Sequence, residues 1–148
     1  MLVKDLMQDE VFTIRPDDLV DRAFFLIHYE KVRHLPVVEK GAVVGIVSDR
    51  DLYKTLGPKK GRGPLMKSGP GPELEVIPRK VRHIMRRGVI TIAPADPVTK
   101  AASIMARRKI GALPVVNGRR LIGIVTATDV LAMVAKLGLG TVAGDALG

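Results

Sequence analysis

Residues 45–52 read GIVSDRDL, and residues 123–130 read GIVTATDV. Both stretches run apolar into a hydroxyl (Ser48, Thr126), then two variable residues, then a carboxylate (Asp51, Asp129). Sliding the chain against itself by 78 positions extends the match outward. VKDLMQDEVFTIRPDDLVDRAF falls on VRHIMRRGVITIAPADPVTKAA, and KVRHLPVVEKGAVVGIVSDRDL on KIGALPVVNGRRLIGIVTATDV. From residue 3 to 52 about a third of the positions are identical without a gap, and most others exchange apolar for apolar. The chain is an internal duplication, and such a repeat governs every later reading of the fold.

The local signals agree between the copies. VFTI (11–14) and VITI (89–92) are short β-rich runs, each followed within two residues by a proline. Val20, Ala23, Phe24 and Ile27, matched by Val98, Ala101, Ala102 and Met105, repeat with a helical period. Asp17 and Asp18, or Asp96, stand where helix-starting carboxylates are favoured. LPVV and VVGIV, or LPVV and LIGIV, predict two strands joined through EKGA or NGRR, which is hairpin chemistry. LYKTL and VLAMVAKL then read as helical. Each copy is strand, helix, strand, strand, helix, giving an α/β (α+β) fold of two repeats. Units of about 60 residues bury so little surface that they are marginal alone, so a pseudo-twofold pairing with a shared core is expected.

The predicted divisions are repeat 1 at 1–56, a connecting segment at 57–80, repeat 2 at 81–137 and a flexible tail at 138–148. The connection, LGPKKGRGPLMKSGPGPELEVIP, is crowded with Gly, Pro and Lys, which favour turns and extended backbone. It also holds much of the charge. The chain carries a formal +9, of which residues 54–88 contribute ten bases against Glu73 and Glu75. That run could attract a polyanion. However, Phe12, Phe24, Phe25, Tyr29 and Tyr53 all lie in the first copy and none interleaves with it to stack on bases. Any nucleic-acid binding is expected to be weak, salt-dependent and without sequence preference.

Other classes are disfavoured. With no cysteine there are no disulfides, thiolate nucleophiles or Cys-based metal sites. His28, His34 and His83 lie at no metal-ligand spacing, and GPKKGRG lacks the strand and helix that a phosphate loop needs. No run reaches the roughly 18 apolar residues of a membrane span. MLVKDLMQDE is too acidic for a secretion signal, so a cytoplasmic, non-enzymatic protein without a metal or required cofactor is expected.

The hydroxyl and carboxylate admit two uses. A strand that ends in Ser or Thr and enters a helix near Asp offers amide N–H groups that suit a phosphate and a carboxylate that suits a ribose diol. The plainer use is helix capping, worth about 1 kcal/mol. On the doubled element order, the two LPVV stretches, GIVSDRDL and GIVTATDV, the chain resembles a tandem pair of cystathionine β-synthase (CBS) domains, a Bateman module, from Val3 to about Leu137. The resemblance implies an adenosine-containing ligand (AMP, ADP, ATP or S-adenosylmethionine), with the Asp on the ribose and the Ser/Thr and the residue before the Asp near phosphate. It implies one cleft of Thr126, Thr128 and Asp129 with Ile14, Arg15, Val20, Val32, Arg33 and His34. The other joins Ser48, Arg50 and Asp51 with Ile92, Ala93, Val98, Ile110, Gly111 and Ala112. The clefts differ: Arg33 and His34 form a basic pair where Gly111 and Ala112 carry no charge, SDRD has an arginine, and TATD has a second hydroxyl. The resemblance also implies a homodimer, to which Leu131, Met133 and Val134 could contribute, and signalling to a separate effector protein, since only LGLGTVAGDALG follows the last helix. A ligand-free dimerisation scaffold is the alternative.

Overall fold

The computed structural model of the chain describes residues 1–58, 61, 63–66 and 73–137. In chain order the elements are α1 (Val3–Leu6), α2 (Val20–Glu30), β1 (His34–Glu39), β2 (Ala42–Ser48), α3 (Asp49–Tyr53), β3 (Leu56–Pro58), β4 (Leu65–Met66) and β5 (Leu74–Val76). A 3₁₀ turn (Val81–His83), α4 (Val98–Arg108), β6 (Ala112–Asn117), β7 (Arg120–Thr126) and α5 (Ala127–Lys136) follow. The predicted tail at 138–148 and Lys59, Lys60, Arg62 and Lys67 of the basic run lie outside the described residues.

The chain divides into two compact units, and their boundaries cut across the sequence repeats. The first unit is Phe12–Val89. The second joins Met1–Val11 to the chain from Ile90 onward. The opening residues of each copy thus belong to the unit built on the other copy, a division the repeat alignment does not reveal.

In each unit an antiparallel hairpin carries the register. β1 pairs with β2 from His34↔Ser48 to Glu39↔Ala42, and β6 with β7 from Ala112↔Thr126 to Asn117↔Arg120. The turns are two residues long, as EKGA and NGRR predict. Lys40 and Gly41 both have positive φ (52° and 80°), the type I′ requirement, whereas in the other turn Gly118 (65°) leads. α2 lays Val20, Ala23 and Phe24 against Leu35, Val37 and Val47 to form the first core. α4 lays Ala101 and Met105 against Leu113, Val115 and Val125 in the second. Both helices stop at a lysine in left-handed conformation, Lys31 and Lys109.

Three expectations change in detail. The first strand of each copy shrinks to a single parallel bridge, Ile14↔Val37 and Ile92↔Val115. Only Ile14 and Ile92 reach the hairpin before the prolines at 16 and 94 turn the chain away. Asp18 and Asp96 do not cap α2 and α4, whose N-caps are Leu19 and Pro97. They close the preceding turns instead, accepting from Arg15 N (2.8 Å) and Ala93 N (3.0 Å). Within the connecting segment, β5 lies between β3 and β4 in a small antiparallel sheet. No helix among the described residues is long and apolar enough to cross a membrane.

Candidate functional site

The two hydroxyl–carboxylate edges form at the turn from hairpin to helix. Each is a capping box, in which the N-cap hydroxyl and the third helical residue satisfy each other's backbone amides. Ser48 N donates to Asp51 Oδ2 at 2.9 Å, Asp51 N donates to Ser48 Oγ at 3.3 Å, and Ser48 Oγ donates to Asp51 Oδ2 at 2.9 Å. Thr126 N donates to Asp129 Oδ2 at 2.9 Å, and Asp129 N donates to Thr126 Oγ1 at 3.1 Å. The helices begin at Asp49 and Ala127, so both aspartates sit inside the first turn rather than before it. Capping, the plainer use of these residues, is realised at both edges.

Capping engages mainly Oδ2; Oδ1 faces a second donor, and there the edges part. Arg86 Nε approaches Asp51 Oδ1 at 3.2 Å. Gln8 Nε2 approaches Asp129 Oδ1 at 3.0 Å and Oδ2 at 3.3 Å. Gln8 and Arg86 are equivalent under the 78-residue shift, and neither was among the residues expected at the site. Each arrives on the opening segment of the opposite copy, pinned by paired backbone hydrogen bonds. Gln8 N donates to Ile124 O and Ile124 N to Gln8 O (2.8 and 2.9 Å), as do Arg86 N and Ile46 N to each other's carbonyls (2.9 and 3.1 Å). Met7 and Met85 lie over Gly123 and Gly45, where a Cβ would stand 2.7 and 2.6 Å from the methionine sulfurs. Glycine is what permits the segment to approach. The repeat alignment held a trace of this, matching Met7 to Met85 and Gly45 to Gly123, but not which copy each segment docks on.

Burial differs too. Asp51 is 6 % exposed, held by Ser48 and Arg86, while Arg86 remains 60 % exposed on its side chain. Asp129 is half-buried. Within the first unit the structure places Arg33 and His34 beside the Ser48–Asp51 turn. His34 is the strand partner of Ser48, Asp49 N donates to Arg33 O at 3.0 Å, and Arg33 Nε stands 3.5 Å from Asp49 Oδ2. Gly111 and Ala112 lie beside Thr126 in the same way, with Ala127 N donating to Gly111 O at 2.9 Å. Burial holds the His34 imidazole below its usual range and Arg33 adds to this, while Asp49 and Asp51 oppose it. Arg50 and Thr128 are exposed in the first turns of α3 and α5.

The apolar candidates belong to, or border, the core of the unit that contains them. Ile14 and Val20 are core residues of the first, 1 % and 0 % exposed, and Val32 packs against that core. Ile92 and Val98 are buried, and Ile110 borders the second core. Arg15 and Ala93 are exposed in the turns before α2 and α4. Within the basic segment, Arg82 and Lys80 pair with Asp17 (2.7 and 3.8 Å) and Arg86 with Asp51, so these three cations face carboxylates of their own unit.

A family model for the CBS domain matches this chain twice, over residues 3–57 and 81–136. The chain belongs to the CBS domain family. A CBS domain-containing protein of Dictyostelium discoideum is 35% identical over 140 residues, which are 93% of each chain. A homoserine O-acetyltransferase of Methanococcoides burtonii is 37% identical over 130 residues, 86% of this chain but 23% of the enzyme. The CBS pair thus spans about a quarter of that relative. Among solved structures, a CBS domain pair in complex with 5′-methylthioadenosine and S-adenosyl-L-methionine matches with a TM-score of 0.73 at 27% identity, covering 92% of this chain and 97% of that one.

Proposed function

We propose that this CBS pair is a regulatory module that binds an adenosine-containing ligand at the Asp51 and Asp129 edges and passes its occupancy to a separate partner. The observation that carries the reading is the doubled capping box. At each edge a carboxylate stands in the first turn of a helix, its Oδ1 facing a side chain that a ligand can displace. A ribose diol has the two adjacent donors that such a carboxylate accepts. The similar CBS pair that holds two adenosine compounds supports the choice of nucleoside. We assign Arg33 and His34 to the Asp51 edge, beside which they stand. A ligand shifts the module only so far as it binds one arrangement of the pair better than another.

The test is the thermal transition with AMP, ADP, ATP and S-adenosylmethionine at millimolar concentration. A rise is expected with at least one of them, and it should be lost in the Asp51→Ala, Asp129→Ala double variant while that variant still folds. No rise with any of the four overturns the reading.

The exposed face of α5 favours one further assignment, a homodimer. Leu131 and the C-cap residue Leu137 are 69% and 57% exposed and no residue of the helix is buried, an arrangement suited to a second copy. Leu131→Glu should give a monomer by light scattering if this face mediates pairing.

A further inference from the structure

The opening segments that deliver Gln8 and Arg86 carry opposite charge: MQDEV at 7–11 and MRRGV at 85–89. The inequality extends through each edge. Over the strand end, the first helical turn and the docked segment, the Asp51 edge has Arg33, Arg50, Arg86 and Arg87 against Asp49 and Asp51. Over the equivalent positions the Asp129 edge has Asp9, Glu10 and Asp129 and no base. One edge is net positive and the other net negative, on the same backbone.

We infer that the two edges select adenosine ligands by the charge at the 5′ position, with Arg86 and Gln8 as the discriminating residues. The Asp51 edge takes a phosphorylated nucleoside, and the Asp129 edge takes an uncharged or cationic one. This rests on the nucleoside reading above. At Asp51 a ribose diol must compete with Arg86 for Oδ1. Arg86 is largely exposed and has the length to turn out. When a 5′-phosphate is present the freed guanidinium exchanges a carboxylate for a phosphate, keeping a charge-assisted pair. An uncharged nucleoside removes Arg86 from Asp51 and returns nothing. At Asp129 the displaced group is a neutral amide, so a diol there separates no ion pair. Asp9, Glu10 and Asp129 repel a phosphate and attract a sulfonium.

Three probes share the adenosine moiety and differ at the 5′ substituent: AMP carries an anionic phosphate, 5′-methylthioadenosine an uncharged thioether, and S-adenosylmethionine a cationic sulfonium with a zwitterionic amino-acid arm. Amide chemical shifts report each edge separately, through residues 48–51 and 126–129. AMP is expected to shift the first set, with an affinity there on the order of tenfold tighter than methylthioadenosine, and the advantage should shrink with added salt. Methylthioadenosine and S-adenosylmethionine should shift the second set. Arg86→Gln should reduce the AMP-to-methylthioadenosine preference at 48–51, and Gln8→Arg should raise it at 126–129; both positions are exposed, and the same spectra verify folding. Equal occupation of both edges by AMP and methylthioadenosine, or an unchanged preference in both variants, overturns charge selection while leaving nucleoside binding standing. Absence of any shift with all three probes overturns nucleoside binding itself.

Discussion

Residues 7–11 enter the second unit by the same route that residues 85–89 take into the first. In both, a methionine crosses a glycine of the second hairpin strand, and paired backbone hydrogen bonds to the following isoleucine fix the register. The next side chain then reaches the helix-capping aspartate. What differs is the group delivered, an amide in one and a guanidinium in the other. The backbone route depends on a small residue and on the isoleucine N–H and C=O that receive the docking segment, which both copies keep. The side chains along that route were left to diverge. A duplicated fold can thus hold two sites of one shape and opposite charge.

The route is best broken at its glycines, and here the largest effect is expected. A Cβ at Gly123 would stand 2.9 Å from Gln8 O as well as 2.7 Å from Met7 Sδ, whereas at Gly45 the nearest backbone atom, Arg86 O, is 3.2 Å away. A methionine tail can swing aside; a carbonyl bound to a strand cannot. Gly123→Ala should therefore lose about 1–3 kcal/mol in urea unfolding, and Gly45→Ala should lose less. Equal losses would show that the sulfur contact, common to both, sets the cost.

The aspartates rank next. Asp51 is more deeply buried than Asp129, accepts from Ser48 N and Ser48 Oγ, and faces a cation. Asp51→Ala should cost about 1–3 kcal/mol, combining a lost cap with stranded donors. Asp129→Ala should sit near the lower end, since Gln8 is exposed and finds water. The reverse order, measured by the same unfolding experiment, would show that Arg86 contributes no more than an exposed ion pair ordinarily does.

The features legible in sequence were those encoded within a few residues: both hairpins and their turns, the amphipathic faces of α2 and α4, and the hydroxyl–carboxylate pair. Each depends on period, turn chemistry or capping, and each is local. Docking of residues 1–11 on the second copy left almost no mark, because a repeat aligns identically whichever copy its opening segment packs against. Gln8 and Arg86 carry no local signal for that reason, whereas the place of His34 opposite Ser48 follows directly from the hairpin register. VFTI and VITI read as strands through composition, yet only one residue of each meets a partner. Turns and extended backbone were expected through the connecting segment; the strand pairing of β3, β4 and β5 was not, because their runs LGP, LM and LEV are too short to stand out between glycines and prolines.

The smallest expected effect concerns the last unlike pair, His34 against Ala112. Burial keeps the pKa of His34 below the ordinary imidazole value of about 6.5 in the folded chain, so the imidazolium is disfavoured there relative to the unfolded state. As the pH falls through 6.5 the unfolded chain takes up the proton first. Stability is therefore fully present above that point and declines as the pH drops toward the folded value. The second unit has no counterpart, since Ala112 does not titrate. His34→Gln keeps a polar side chain and removes the proton, and it should flatten the fall in urea midpoint between about pH 7.5 and about pH 5.5. If the variant keeps the full slope, the proton uptake belongs to other groups. If the fall is steeper in the variant, Asp49 and Asp51 outweigh burial and hold His34 as a cation, which would add to the positive charge already gathered at the Asp51 edge.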